Sequence, residues 1–70
     1  MGKDHKDLVV MLTYKRKEAG ITQASLAEAV QVSRKSINAI ENGIYVPSTV
    51  LSLKIATVLN CSIEDIFKLH

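Results

Sequence analysis

Arg34, Lys35, Asn38 and Asn42 fall within a stretch of nine residues, with Ser33 just before it and Ala39 inside it. On a helix of 3.6 residues per turn these positions recur along one side. The chemistry they share is hydrogen-bond donation to a surface rich in acceptors. Arginine and lysine donate to O6 and N7 of guanine, asparagine pairs with N6 and N7 of adenine, and a small alanine leaves room for a thymine methyl. Two cations at the start of a helix are disfavoured by its dipole, and a phosphate-bearing partner removes that objection. An ordinary solvated helix face has the same composition, so the supporting elements must decide between the two.

Other chemistries find little material. His5 and His70 are the only imidazoles and stand at opposite termini, and no Ser–His–Asp arrangement is suggested. An enzyme is therefore not expected. Asp4, His5 and Asp7 match no ligand spacing, so neither a metal nor a cofactor is expected. Cys61 is a single cysteine without a disulfide partner, and it reads as a small apolar residue.

With 70 residues, 47% hydrophobic and 23% charged, the chain is too apolar and too balanced for a disordered tail. Its length points to one domain over residues 1–70, with residues 1–5 a frayed terminus. The apolar runs are too short to span a membrane and the N-terminus lacks a signal-peptide core, so a cytoplasmic location is expected. Net charge is +2, unevenly placed. Residues 1–40 hold seven basic and four acidic side chains, and residues 41–70 hold two and three. A phosphate-bearing partner would meet the N-terminal part first.

Apolar residues recur at helical spacing between Gly20, Gly43 and Pro47. A first helix is expected from Lys6 to Ala19, with Leu8, Leu12, Lys15 and Ala19 on one stripe and Val9 and Arg16 at its edge. Thr22 caps a second, Gln23 to Val30, and Ser33 caps a third, Arg34 to Glu41. Ser48 caps a fourth, Thr49 to about Leu59, with Leu51, Ile55, Val58 and Leu59 on its inner face. Ser62 and Asp65 open a fifth, Ile63 to Lys68. No stretch alternates as a strand, so the fold class is all-α, a compact five-helix bundle.

Within it, Thr22–Gly43 has the pattern of a helix-turn-helix. Ala27 permits a close crossing, Val32 plugs the turn, and Ile37 and Ile40 anchor the second helix. Arg34, Lys35, Asn38, Ala39 and Asn42 would then project from a braced rod, which enters a major groove by its N-terminal residues. Gln23 and the N–H groups that open the second helix suit phosphate.

Gly20-Ile21-Thr22-Gln23, Leu26-Ala27-Glu28, Val32-Ser33-Arg34 and Ile37 to Gly43 together resemble the phage-repressor family of Cro/C1 (xenobiotic-response-element) type. Pro47-Ser48, Lys54-Ile55-Ala56 and Ser62 to Phe67 extend the resemblance over about residues 8–68. It implies a lambda-repressor-like domain and a transcriptional regulator, a repressor, that binds a palindromic operator in double-stranded DNA as a homodimer. By the same resemblance Ser33, Arg34, Lys35, Asn38 and Ala39 face the bases. Gln23 matches a phosphate-clamping glutamine, Asn42 lies near the backbone, and Arg16 and Glu41 match an ion pair joining the first and third helices. A bacterial or phage-type cytoplasmic setting follows, with neither a membrane nor a small-molecule ligand as partner.

The chain departs from the family where Gln31 replaces a frequent turn glycine and where Ile44-Tyr45-Val46 replaces basic residues, leaving the Tyr45 hydroxyl for phosphate. Leu53, Ile63, Ile66, Phe67 and Leu69 are the expected dimer contact, formed by helix 5 and the adjoining end of helix 4. Two alternatives stay open. One is an antitoxin or restriction-modification controller of the same fold. The other is a helical protein-interaction module that no longer binds DNA.

Overall fold

Serine and threonine hydroxyls punctuate the chain where helices begin, because a helix's first N–H groups have no intrahelical acceptor. The computed structural model describes residues 7–70. In it Thr22 Oγ1 accepts from Ser25 N–H at 3.0 Å, Ser33 Oγ from Ser36 N–H at 3.1 Å and Ser48 Oγ from Leu51 N–H at 3.1 Å. These caps open α2 (Gln23–Val30), α3 (Arg34–Glu41) and α4 (Thr49–Val58). Ahead of them lies α1 (Leu12–Glu18), and after them a short α5 (Ile63–Ile66), where the Asp65 carboxylate reaches back to accept from Ser62 N–H at 3.0 Å.

The first four helices end alike. Gly20, Gln31, Gly43 and Asn60 take positive φ, and the residue after each donates back across the last turn: Ile21 to Arg16, Val32 to Ala27, Ile44 to Ala39 and Cys61 to Ala56. This left-handed ending satisfies carbonyls that would otherwise be left open. Gln31, at φ 64°, holds it with a side chain that carries a steric penalty of about 1 kcal/mol there.

Two expectations are corrected at the chain ends. Leu8–Val10 is a strand, β1, and the first helix begins at Leu12; the expected start at Lys6 and the frayed residues 1–5 lie outside the described residues. The fifth helix stops at Ile66, and Phe67–Leu69 forms β2. The strands pair antiparallel, Leu8 with Leu69, Val9 with Lys68 and Val10 with Phe67. Met11 N–H to Ile66 O at 2.6 Å and His70 N–H to Asp7 O at 3.1 Å close the ribbon at both ends. Leu8-Val9-Val10 contains two β-branched residues, which favour extended backbone. Local periodicity could not reveal its partner, which lies almost sixty residues downstream.

The shift in α1 changes its buried stripe. Leu12 and Arg16 face inward, Lys15 is half-buried and Ala19 is exposed. On α4 the buried residues are Leu51, Ser52, Ile55 and Ala56; Val58, expected inside, is 40% exposed. The core gathers Leu12 from α1, Leu26, Ala27 and Val30 from α2, Ile37 and Ile40 from α3, three apolar residues of α4, and Ile66. Ala27 is 3% exposed, where α2 packs against α3 and α4. The Cα radius of gyration is 11.0 Å, as expected for about 70 residues. No helix among the described residues is long and apolar enough to cross a membrane.

Candidate nucleic-acid interface

Ile37 and Ile40 are fully buried, so α3 has one settled orientation. Its opposite side carries Arg34, Lys35 and Asn38 exposed to solvent, Ala39 half-buried, and Asn42 exposed at the C-cap. Ser33 is also exposed, but its hydroxyl caps α3 and lies 3.0 Å from Ser36 Oγ. Of the residues expected to face bases, Ser33 therefore has an oxygen already in use.

Behind this face stands an ion pair. Arg16 Nε donates to Glu41 Oε2 at 2.6 Å and Nη2 to Oε1 at 3.3 Å, while Nη1 donates to Ile21 O at 2.9 Å. The two side chains are 10% and 4% exposed. Burial pushes the Glu41 carboxyl up, but hydrogen bonds from Arg16, Gln23 and Thr13, with the arginine charge, outweigh it and hold the group below the usual carboxylate range. The pair fastens α1 to α3, and through Ile21 O it also holds the α1–α2 turn.

Gln23 joins this pair to the exposed face. Its Nε2 donates to Glu41 Oε1 at 2.9 Å and to Asn38 Oδ1 at 3.2 Å, and its Oε1 accepts from Arg34 Nη1 at 3.3 Å. Both amide hydrogens are thus used inside the protein. A phosphate at the start of α2 would meet the backbone N–H groups of the first turn, or Gln23 would have to release Asn38. The sequence points Gln23 to phosphate and does not by itself show this bridge. Its signal was available: Asn38 and Glu41 are three apart on α3, and Ala27 lets the helix that begins at Gln23 pack closely against them.

The loop after α3 folds back on it. Ile44 and Tyr45 N–H both donate to Ala39 O, at 3.0 and 3.3 Å, leaving Ile44, Tyr45 and Val46 exposed beside the end of α3. Of the residues expected at a dimer contact, Leu53 and Leu69 are exposed and Ile63 and Phe67 half-buried. Ile66 is fully enclosed in the protomer's own core, which removes it from that surface. Cys61 is half-buried and packs against the core, and burial raises its thiol pKa. No cluster of three or more His, Cys, Asp or Glu side chains is placed to hold a metal ion among the described residues.

A braced two-helix unit with a polar, cationic second helix defines a class, and comparison with known proteins agrees. Residues 12–66 match the family model described as helix-turn-helix, and the chain belongs to that family, the Cro/C1 type of DNA-binding transcriptional regulators. It is 53% identical over 53 residues to an HTH-type transcriptional regulator of Methanothermobacter thermautotrophicus, covering 74% of this chain and 77% of that one. It is 38% identical over 61 residues to the ImmF control region 10 kDa protein of Bacillus phage phi105, covering 87% and 68%. Among solved structures, the restriction-modification controller protein C.AhdI from Aeromonas hydrophila superposes with a TM-score of 0.72 at 30% identity, covering 77% of this chain and 78% of that one.

Proposed function

We propose that this chain represses transcription by occupying a short palindromic operator in double-stranded DNA as a homodimer. The observation that carries the reading is the state of α3: locked from behind by Ile37, Ile40 and the Arg16–Glu41 pair, and open on the side that bears Arg34, Lys35 and Asn38. In this reading Arg34, Lys35, Asn38 and Ala39 face base edges in the major groove. The first turn of α2, Asn42 and Tyr45 hold the sugar-phosphate backbone. Exposed Leu53 and Leu69, with half-buried Ile63 and Phe67, supply the contact between protomers, and the complex resides on the cytoplasmic nucleoid.

The test is a selection from random duplexes followed by a salt titration on the winning site. The logarithm of affinity should fall linearly with the logarithm of salt concentration, as bound counterions are released. A flat dependence would point instead to an apolar protein contact through Ile44-Tyr45-Val46. The likeness to C.AhdI favours a second reading, control of a restriction-modification system by the same DNA contact. Restriction and methylation genes beside its own would decide for it.

A further inference from the structure

We infer that Gln23 sets the direction of the Asn38 amide, so that α3 presents hydrogen-bond donors to the groove and reads acceptor edges, guanine first, in place of adenine. The inference rests on the DNA-binding reading above and names the base chemistry of that same site.

An ionised carboxylate only accepts hydrogen bonds. Glu41 lies at the end of the Arg16 guanidinium and is held in its ionised form. The part of Gln23 that meets Glu41 must therefore be its NH2 group, at 2.9 Å. That settles the rest of the chain of bonds. The second hydrogen of the same nitrogen points to Asn38, 3.2 Å away, and only the carbonyl oxygen of Asn38 can receive it. The Gln23 oxygen is left facing Arg34, a pure donor, at 3.3 Å. Every link is polar in one sense only, and reversing the Asn38 amide would set two NH2 groups against each other.

The consequence is a surface of one kind. Asn38 has its oxygen engaged toward α2 and its Nδ2 hydrogens free. Arg34 and Lys35, on the same exposed side, have donors and no acceptor. Pairing with adenine needs the asparagine oxygen turned to the groove to receive N6–H as its Nδ2 donates to N7; the bond from Gln23 turns that oxygen toward α2, whereas guanine offers two acceptors, O6 and N7, to donors alone. Gln23 is thus a positioning residue, acting on the bases through Asn38 and Arg34.

The experiment is a random-duplex selection with the full chain and its Gln23→Ala, Asn38→Ala and Asn38→Asp variants. Asn38→Ala identifies the base step by erasing preference there. At that step the unaltered chain should select guanine. Gln23→Ala should raise adenine relative to guanine about tenfold, because the amide is released to turn. Asn38→Asp, an exposed replacement of donors by acceptors, should shift the step toward cytosine, whose N4 donates. Adenine at that step with the unaltered chain overturns the inference while leaving DNA binding intact. A Gln23→Ala variant that weakens every sequence equally and keeps the guanine preference overturns it too, since that is the behaviour of a phosphate ligand. If no sequence is enriched, the DNA-binding reading and this inference fall together.

Discussion

Arg34 and Lys35 stand at the end of a helix where the backbone itself repels cations, and neither is buried in the fold. Replacing either with alanine should leave stability nearly unchanged and lower operator affinity by about 1–3 kcal/mol, with preference relaxed at one base step. Titration of the selected duplex by fluorescence anisotropy measures this, and unchanged affinity in both variants would refute the groove assignment. Arg16 and Glu41 behave oppositely. Each is spent inside the protein, and Arg16→Met would leave a largely buried carboxylate without its counter-charge. A loss of about 3 kcal/mol in urea unfolding is expected. The depressed Glu41 pKa fixes the sign of the pH response. Folding binds fewer protons here than the unfolded chain does, so the stabilisation is complete above the ordinary glutamate value and declines as pH falls through the lower folded one. Urea midpoints measured on descending into that acid range should drop more for the unaltered chain than for the Arg16→Met variant.

At the scale of elements, the helices are short and owe their ends to local chemistry. α2 has eight residues and α3 eight, too few to persist alone in water. Their boundaries are held by Thr22 and Ser33 at the starts and by the left-handed residues Gln31 and Gly43 at the ends. Gln31 is the costly member of that set. Exposed, and in a conformation that glycine adopts without penalty, it should yield about 1 kcal/mol of added stability on Gln31→Gly replacement. Thermal unfolding is the measurement, and a lowered midpoint would mean that the Gln31 side chain contributes something the backbone does not. The helix pattern was legible because caps and apolar spacing act over four residues. The β1–β2 ribbon was not, because each strand spans three residues and its partner lies at the other end of the chain.

For the whole molecule, exposed apolar surface on α4 and β2 matters most. Val50, Leu53 and Val58 on α4 and Leu69 on β2 remain open to solvent in the protomer. If copies of the chain meet there, Leu53→Glu should convert a dimer to a monomer in sedimentation and cut operator affinity, since two half-sites would no longer be held about 34 Å apart. A monomeric unaltered chain would remove that arrangement. The ribbon adds a second whole-molecule property. By joining residues 8–10 to 67–69 beside Ile66, it ties the first and last elements to each other and, through Val10 and Phe67, to the core.

The sequence by itself determined the helix-turn-helix, its caps, the identity of the buried aliphatic residues on α2 and α3, and the set of side chains on the open face of α3. These follow from interactions between residues three or four apart, which spacing records directly. Only the tertiary structure decided that Leu8–Val10 is a strand, that Ile66 is core and not interface, and that Gln23 spends its amide on Asn38 and Glu41. Those outcomes depend on which segments meet across the fold, and hydrogen-bond direction at the meeting point is set by partners that cannot reverse, the Glu41 carboxylate on one side and the Arg34 guanidinium on the other.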